Sequence, residues 1–496
     1  MKAIAVPHLS RRWIVEYGRR PLNVVLLIVV PVVFVTLTAG ALADFADILG
    51  GDANLGSVEA ATAGWAAAVL AGVAAFFHVS QSRDADKRLA AAGAGSVRVV
   101  ASRLVSTLLL AAAASLGALV ALGVRTNLPT STRVVAATAL SAMIYTGLGV
   151  VVGASVRSEM NGSLIIVFAW IFDVFFGPAM GGTAGFLRLF PLHFPTLVIT
   201  GVASGHSGAL GDVGIAVAWA IGSLALATFA LIATTRRRPR VALPTRRSTR
   251  RLTAALTAAG RQLRRMPVLW ILVVGLPVAF ISASIAVTPD TPTPVDLVEQ
   301  GQRTVTIQTM ADVHGAVMLP ITIGFLASLA GLFVILDSAQ GDRRLALTDY
   351  RPAEILTVRM TTIVIATSIA TVAGLAVTAA SFDAVNWWLF ALAGVIVGLT
   401  YATIGVIVGP VFGRLGGLYL LLLLPFIDIG LAQNAMFDAA PPAWGRYLPA
   451  HGAMRVLMDG AFTSQFDEVG ALLLALVWLS FLTTLAALVF RRVMTR

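Results

Sequence analysis

The sequence predicts an all-α polytopic membrane protein with about twelve transmembrane helices, arranged as two parallel repeats of six helices with re-entrant outer segments. Of the 496 residues, 58% are hydrophobic and only 12% are charged, and the mean hydropathy is +0.88. Soluble domains carry about 25% charged residues, so this chain cannot cover itself with polar surface. A lipid bilayer is therefore its expected environment.

Residues that recur at a near-constant spacing divide the chain into two similar halves. Tyr145 recurs as Tyr401, Arg103 as Arg359, and the run Gly149–Gly153 as Gly405–Gly409, each 256 residues later. Pro21 and Pro31 recur only 246 residues later, which places a ten-residue insertion in the first loop of the second copy. Such a repeat sets the architecture. We expect a first half at 1–235, a basic cytoplasmic linker with an interfacial helix at 236–265, and a second half at 266–496.

Apolar runs of about 20 residues mark the expected spanning helices of each half. In the first half they are 22–40, 62–80, 99–121, 134–156, 163–182 and 212–234. In the second half they are 268–288, 316–336, 359–380, 387–408, 417–436 and 469–490. Six helices in a half bring the chain back to its starting side, so the two halves are expected to be parallel, unlike an inverted repeat.

The basic residues predict the orientation, because cytoplasmic loops carry an excess of Lys and Arg. With both termini in the cytoplasm, only six of the 36 Lys and Arg residues fall outside: Arg125, Arg133, Arg188, Arg303, Arg446 and Arg455. This bias, together with attraction to anionic lipid, accounts for the net charge of +12 without a nucleic acid partner. A usage rich in Arg and poor in Lys is typical of a high-GC bacterium, so we expect a bacterial cell membrane.

Two kinds of chemistry are excluded by residue types. There is no cysteine, and the six histidines are scattered without the spacing of zinc ligands, so no metal site is expected. A nucleotide-binding P-loop needs Gly-Lys followed by Ser or Thr, because its lysine reaches the phosphates. The only lysines, Lys2 and Lys87, follow Met and Asp.

The loop after the second helix of each half is charged and duplicated. The first contains Asp84, Asp86, Arg88 and Leu89, and the second contains Asp342, Arg344 and Leu345, with Arg-Leu-Ala kept in register. An ordinary cytoplasmic loop is the simpler interpretation, but duplication in register favours a shared docking role. Basic amphipathic segments, at His8–Arg20 and Arg251–Arg265, precede the first helix of each half and are typical of helices in the membrane interface.

Segments that follow the fifth helix of each half are too apolar for simple exposed loops. They begin with Phe190–Pro195 and Leu448–His451, and Arg188, Pro191 and His193 recur here as Arg446, Pro449 and His451. Such segments are expected to dip back into the membrane, where their backbone must be satisfied within the protein.

Taken together, these features resemble the type-2 ABC exporter permeases. That family has an interfacial helix before helix one, a coupling helix between helices two and three, and re-entrant helices between five and six. The resemblance implies a fused two-half permease of a hydrophobic or amphipathic substrate, such as a drug, antibiotic or lipid. It implies no enzyme activity in this chain, which would bind no cofactor. Energy would come from two separate P-loop ATPase subunits that bind ATP-Mg.

Asp173 and Asp428 are the acids that lie well within apolar spans, at near-equivalent places. A charge at the bilayer centre costs about 2.5–3.5 kcal/mol on insertion scales, so such residues usually face a bundle interior or an aqueous path. One hypothesis has them lining the translocation route and contacting cationic groups of the substrate. The other gives them structural hydrogen bonds to a neighbouring helix.

Two other functional classes remain open at this point. A proton-coupled secondary transporter would use Asp173 and Asp428 as proton carriers, but it gives no reason for the duplicated loops. An intramembrane enzyme would need clustered catalytic groups, which the dispersed histidines do not offer.

Overall fold

The computed structural model describes residues 5–19, 21–51, 53–126, 131–182, 185–201, 209–235, 267–346 and 352–494. The expected linker at 236–265, including the amphipathic segment Arg251–Arg265, lies outside these residues. The chain forms two compact units, Met1–Pro244 and Thr245–Arg496. Each unit is mostly helical and is described by itself.

The first unit contains nine α-helices in its described residues. They are α1 Ala5–Gly18, α2 Pro21–Ile48, α3 Leu55–Ser80, α4 Arg83–Leu89, α5 Ser96–Thr126, α6 Thr132–Ser155, α7 Glu159–Phe175, α8 His193–Thr200 and α9 Ala209–Thr235. Several spans begin at a side-chain cap, because the first N–H groups of a helix have no partner within it. Asn54 accepts a hydrogen bond from the Ser57 N–H at 2.8 Å, and Ser131 and Ser158 play the same part for α6 and α7.

The second unit contains six α-helices and two strands in its described residues. They are α10 Pro267–Val287, β1 Pro292–Glu299, β2 Gln302–Thr309, α11 Met310–Ala346, α12 Pro352–Thr378, α13 Trp387–Pro425, α14 His451–Phe462 and α15 Val469–Met494. A π-helical turn, Phe426–Ala432, extends α13. Gly413, at φ 69°, breaks α13 internally, between the two spans that the sequence predicts there.

The hairpin of β1 and β2 corrects the all-α prediction. It occupies the loop to which the repeat offset assigns an insertion, and its strands pair antiparallel from Pro292 opposite Thr309 to Glu299 opposite Gln302. The connecting residues, Gln300 and Gly301, have φ of 53° and 75°. A two-residue turn with positive φ at both positions matches the twist of a β-hairpin. The alternation Thr304-Val305-Thr306-Ile307 also suits a strand, since β-branched residues favour pleated structure.

Length and hydropathy identify a multi-pass membrane protein. Among the described residues, nine helices are long and apolar enough to cross a membrane, one of them the broken segment Trp387–Ala432. Helix α7, with 17 residues, and the segment Val273–Val287 of α10 are apolar but shorter. The mean hydropathy of the nine ranges from 1.8 to 2.7.

Glycines in the duplicated run allow two helices of each unit to cross closely. A Cβ on Gly149 of α6 would lie inside contact distance of the Gly72 carbonyl oxygen on α3. A Cβ on Gly405 of α13 would meet the Ser328 carbonyl oxygen on α11 in the same way. Because neither obstacle is a side chain that can rotate away, both crossings require glycine. Small residues at such crossings permit the close backbone approach on which helix association in lipid depends.

We predict opposite effects for alanine at two helical glycines of the first unit. Gly149→Ala should lower the free energy of unfolding by about 1–3 kcal/mol, because the methyl group forces the crossing apart. Gly222→Ala is the control, since a Cβ there has no atom within 4 Å, and helix propensity favours Ala by up to about 1 kcal/mol. Thermal unfolding in the same detergent measures both. Equal melting temperatures would contradict the packing account.

Candidate functional site

The two ends of each unit differ in the contacts that they contain. In the first unit, α4 lies beside the end of α6, because Arg83 donates to the carbonyls of Gly153, at 2.5 Å, and Val156. We call this the clamp end. Helix α7 starts there and ends at the opposite side, where α8 begins, which we call the cap end. In the second unit, the hairpin lies at the cap end. Asp296 of β1 donates its N–H to the carbonyl of Ala439, which lies between α13 and α14, at 3.0 Å.

A buried ion pair joins α4 to α5 at the first clamp end. Arg103 Nη2 lies 2.5 Å from Asp86 Oδ1, and Arg103 Nε lies 3.1 Å from Asp86 Oδ2. The two side chains are 3% and 5% exposed. Burial raises the pKa of the Asp86 carboxyl above its ordinary value, and the positive charge and hydrogen bonds of Arg103 oppose that rise. The bidentate geometry is the form in which an Arg–carboxylate pair gives both strength and a fixed orientation.

Arg103 also connects this pair to α1, which covers most of the basic amphipathic segment at the start of the chain. Its guanidinium lies 3.7 Å from the centroid of the Trp13 ring, a cation–π contact. Its Nη1 lies 2.9 Å from His78 Nε2, at the end of α3. Since arginine has no acceptor, this contact requires an unprotonated Nε2 on His78. One side chain therefore holds α1, α3 and α4 against α5.

The second unit repeats the ion pair at the equivalent positions. Arg359 Nη2 lies 2.6 Å from Asp342 Oδ1, and its Nε lies 3.2 Å from both carboxylate oxygens. Asp342 is 1% exposed and Arg359 is 17% exposed at the side chain. Acid and base are 17 residues apart in both units, and the two acids are 256 residues apart, as are the two bases.

Helix α4 presents its other face to solvent. Asp84, Ala85 and Arg88 are exposed, and exposure continues at Ala91 and Ala92 in the following turn. Of the predicted docking residues, Asp84 and Arg88 thus lie on this face, Leu89 is half-buried, and Asp86 points into the clamp. Asp342 of the second unit also lies in its clamp. Arg344 and Leu345 fall within the helical range of α11, but their side chains are outside the described part of the chain.

At the first cap end, the buried Asp173 accepts hydrogen bonds from two other parts of the unit. The Tyr145 hydroxyl of α6 donates at 2.8 Å, and the Leu192 N–H donates to the two carboxylate oxygens at 3.0 and 3.1 Å. Leu192 immediately precedes α8. Asp173 itself belongs to α7 and is 2% exposed.

The second cap end reproduces this arrangement around Asp428. The Tyr401 hydroxyl donates at 2.7 Å and the Ala450 N–H donates at 3.0 Å. Ala450 immediately precedes α14. Nearby, Gln433 donates to the Gly445 carbonyl at 2.7 Å, and its side-chain oxygen lies 2.9 Å from His451 Nδ1.

This geometry favours the structural hypothesis for the two aspartates. A helix N-terminus has unpaired N–H groups and a partial positive charge, both of which a carboxylate satisfies. Each aspartate therefore fixes the start of a short helix to the end of a long one. Their contact with a transported substrate stays a prediction. No cluster of three or more His, Asp or Glu residues suited to a metal occurs in the ranges that the structure describes.

Sequence reasoning gives no role to Tyr145 and Tyr401, which stand out only as members of the repeat. It places Arg103 and Arg359 as the basic residues that enter the spanning helix after each duplicated loop, but it does not pair them with Asp86 and Asp342. The common offset of about 256 residues for partner and acid is the one sequence signal that could have paired them. No protein-family model and no curated protein sequence matches this chain.

The first clamp predicts strong coupling in a double-mutant cycle. Asp86→Asn or Arg103→Gln alone should cost about 3–5 kcal/mol of unfolding free energy, because each leaves a buried charge without its partner. The double variant Asp86→Asn/Arg103→Gln removes both charges and should recover part of that loss. Denaturant unfolding in detergent measures the cycle, with Asp84→Asn on the exposed face as the control. Additive single effects would contradict a paired clamp.

The caps predict a loss of stability from a single hydroxyl. Tyr145→Phe and Tyr401→Phe keep the ring but remove a donor from a buried carboxylate, which should cost about 1–3 kcal/mol each. Tyr447→Phe is the matched control, since Tyr447 is 80% exposed. Thermal unfolding in detergent measures all three variants. If the buried and exposed tyrosines tolerate the change equally, the hydroxyls do not hold the caps.

Proposed function

We propose that the chain is the membrane-spanning permease subunit of an ATP-binding cassette exporter that moves a hydrophobic or amphipathic substrate. Its proposed twelve spans are the nine long apolar helices, with α7 and α10 added and the two arms of α13 counted separately. The nine are α2, α3, α5, α6, α9, α11, α12, α13 and α15. The two units would be parallel six-helix repeats, and α8 and α14 would be the re-entrant outer helices. The alternative, a proton-coupled secondary transporter, is distinguished by experiment below.

The duplicated clamp is the observation that carries this proposal. A segment that receives force from a soluble motor must be fixed to the spanning helices, since otherwise the motor moves only a loop. In both units an Arg–Asp pair with a buried carboxylate supplies that attachment, from the end of the second span to the start of the third. The outward face of α4 leaves Asp84, Ala85 and Arg88 free of the clamp and open to a partner.

Force on α4 would pass into the membrane through identifiable contacts. The Asp86 carboxylate would transmit the force to Arg103 on α5. The contact between Arg103 and the Trp13 ring would transmit it further to α1. At the far end of α7, the Asp173 carboxylate holds the start of α8, so α7 and α8 would move together. This linkage allows closure of an ATPase dimer at one end to change the path at the other.

The orientation follows from the same proposal. The clamp ends would lie in the cytoplasm with both termini, and the cap ends would face outward across a bacterial cell membrane. Two ATPase subunits, separate polypeptides that carry ATP-Mg, would dock at the two clamp ends. This orientation is supported by the distribution of Lys and Arg, because it leaves only six of the 36 in external loops and places the rest in the cytoplasm.

Charge reversal at the arginines of the two duplicated segments tests docking. Arg88→Glu combined with Arg344→Glu should abolish co-purification with the candidate ATPase and the stimulation of its ATP hydrolysis. The reason is that the new negative charges would repel the groups that the arginines attract. Arg11→Glu is the control, since Arg11 is exposed on α1 and lies outside α4. Unchanged coupling in this double variant, with both proteins folded, would refute docking at these segments.

The energy source separates the two candidate functions. In inverted vesicles that contain the chain and its candidate ATPase, substrate uptake should require ATP and persist when an uncoupler removes the proton gradient. Uptake that needs no ATP and collapses with the uncoupler would establish the secondary transporter instead. Uptake by a proton-coupled transporter should be lost in Asp173→Asn and Asp428→Asn, since proton carriage requires an ionisable carboxyl.

A further inference from the structure

A short turn before each cap has the same exposure pattern in both units. The 3₁₀ turns are Gly185–Leu189 and Ala443–Tyr447. Phe186 and Leu189 are 65% and 72% exposed in the first, and Trp444 and Tyr447 are 53% and 80% exposed in the second. Between the apolar pair of each turn stand one buried residue, Leu187 or Gly445, and one exposed arginine. That arginine is Arg188 or Arg446.

These side chains are exposed although their backbone is held firmly. In the first turn, the Phe190 N–H donates to the Leu187 carbonyl at 3.0 Å and the His193 N–H to the Phe190 carbonyl at 3.1 Å. In the second, the Leu448 and His451 N–H groups make the equivalent bonds at 3.1 Å each. The buried aspartate anchors the chain immediately after each turn. The outward orientation is thus fixed by the fold.

The chemistry that both turns share is an arginine flanked by two large apolar side chains. Only the arginine is identical, while Phe and Leu in one turn become Trp and Tyr in the other. Apolar surface gains about 25 cal/mol for each Å² removed from water, so two such side chains favour an apolar environment. Trp and Tyr are enriched where the membrane meets water, and arginine reaches from there to phosphate.

We propose that each turn is a phospholipid-binding anchor. Arg188 and Arg446 bind headgroup phosphates of the leaflet next to their cap ends, and the flanking apolar side chains enter the boundary between headgroups and acyl chains. The anchor sets the depth of α8 and α14 in the membrane, because these helices begin within a few residues of the turns. A change in lipid headgroup would therefore act on the caps directly.

Spin labels at single cysteines test the insertion, and the absence of native cysteine makes each label unique. Leu189→Cys and Tyr447→Cys carry a nitroxide in nanodiscs of phosphatidylcholine and phosphatidylglycerol, without ATPase or substrate. Both labels should lose collisions with a water-soluble nickel chelate and gain collisions with oxygen. Gln302→Cys on the hairpin gives the aqueous reference, and Leu116→Cys, at a position 64% exposed on α5, gives the lipid reference.

Removing the arginine tests the phosphate contact. Arg446→Gln should shift the depth of the label at 447, and Arg303→Gln, an exposed arginine on the hairpin, should not. Nickel collisions at 189 and 447 equal to those at 302 would overturn the anchor and leave the turns as surfaces for a substrate or a protein. A depth at 447 that is indifferent to Arg446→Gln would overturn the phosphate contact. The anchor can fail in this test without affecting the docking of an ATPase.

Discussion

A charge buried in the protein requires a partner that the protein supplies, and this constraint organises both units. Hydrophobic contact alone does not order helices in lipid, because acyl chains are as apolar as leucine. The buried carboxylates supply directional contacts between specific helices. Asp86 joins α4 to Arg103 of α5, and Asp173 joins the end of α7 to Tyr145 of α6 and to the start of α8. Each buried acid therefore fixes the relative position of elements that packing would leave free.

The two units share this scheme but surround it differently. In the first, a break separates α3 from α4, and Trp13 and His78 complete the clamp. In the second, α11 continues as one helix through Asp342, and an ion pair of Asp337 with Arg414 at 2.8 Å ties it to the break in α13. The same ion pair therefore holds a separate helix in the first unit and the extended end of a long helix in the second.

Much of the helical, membrane-embedded character could be predicted, because long apolar runs are a strong signal in composition alone. The hairpin at Pro292–Thr309 was missed, because two short strands inside a predicted loop leave only a weak alternation. The acids Asp173 and Asp428 were found, since a carboxyl in an apolar run is conspicuous. Their partners were not, because Tyr145 lies 28 residues from Asp173 and no helical or strand period links such positions. The orientation of the turns at Arg188 and Arg446 could not be predicted either, because it depends on tertiary structure.

In the proposed function, the clamp turns one face of α4 inward and leaves the other face to a soluble ATPase. Single cysteines placed in turn from 82 to 92, except at 86, in a chain without native cysteine, report this through thiol modification with and without the candidate ATPase. Protection by the ATPase is expected at 84, 85, 88, 91 and 92, the positions exposed on one helical face, and less at the half-buried positions 87, 89 and 90, which leave the clamp intact. Protection that is absent, or that follows no helical period, would contradict docking at this face.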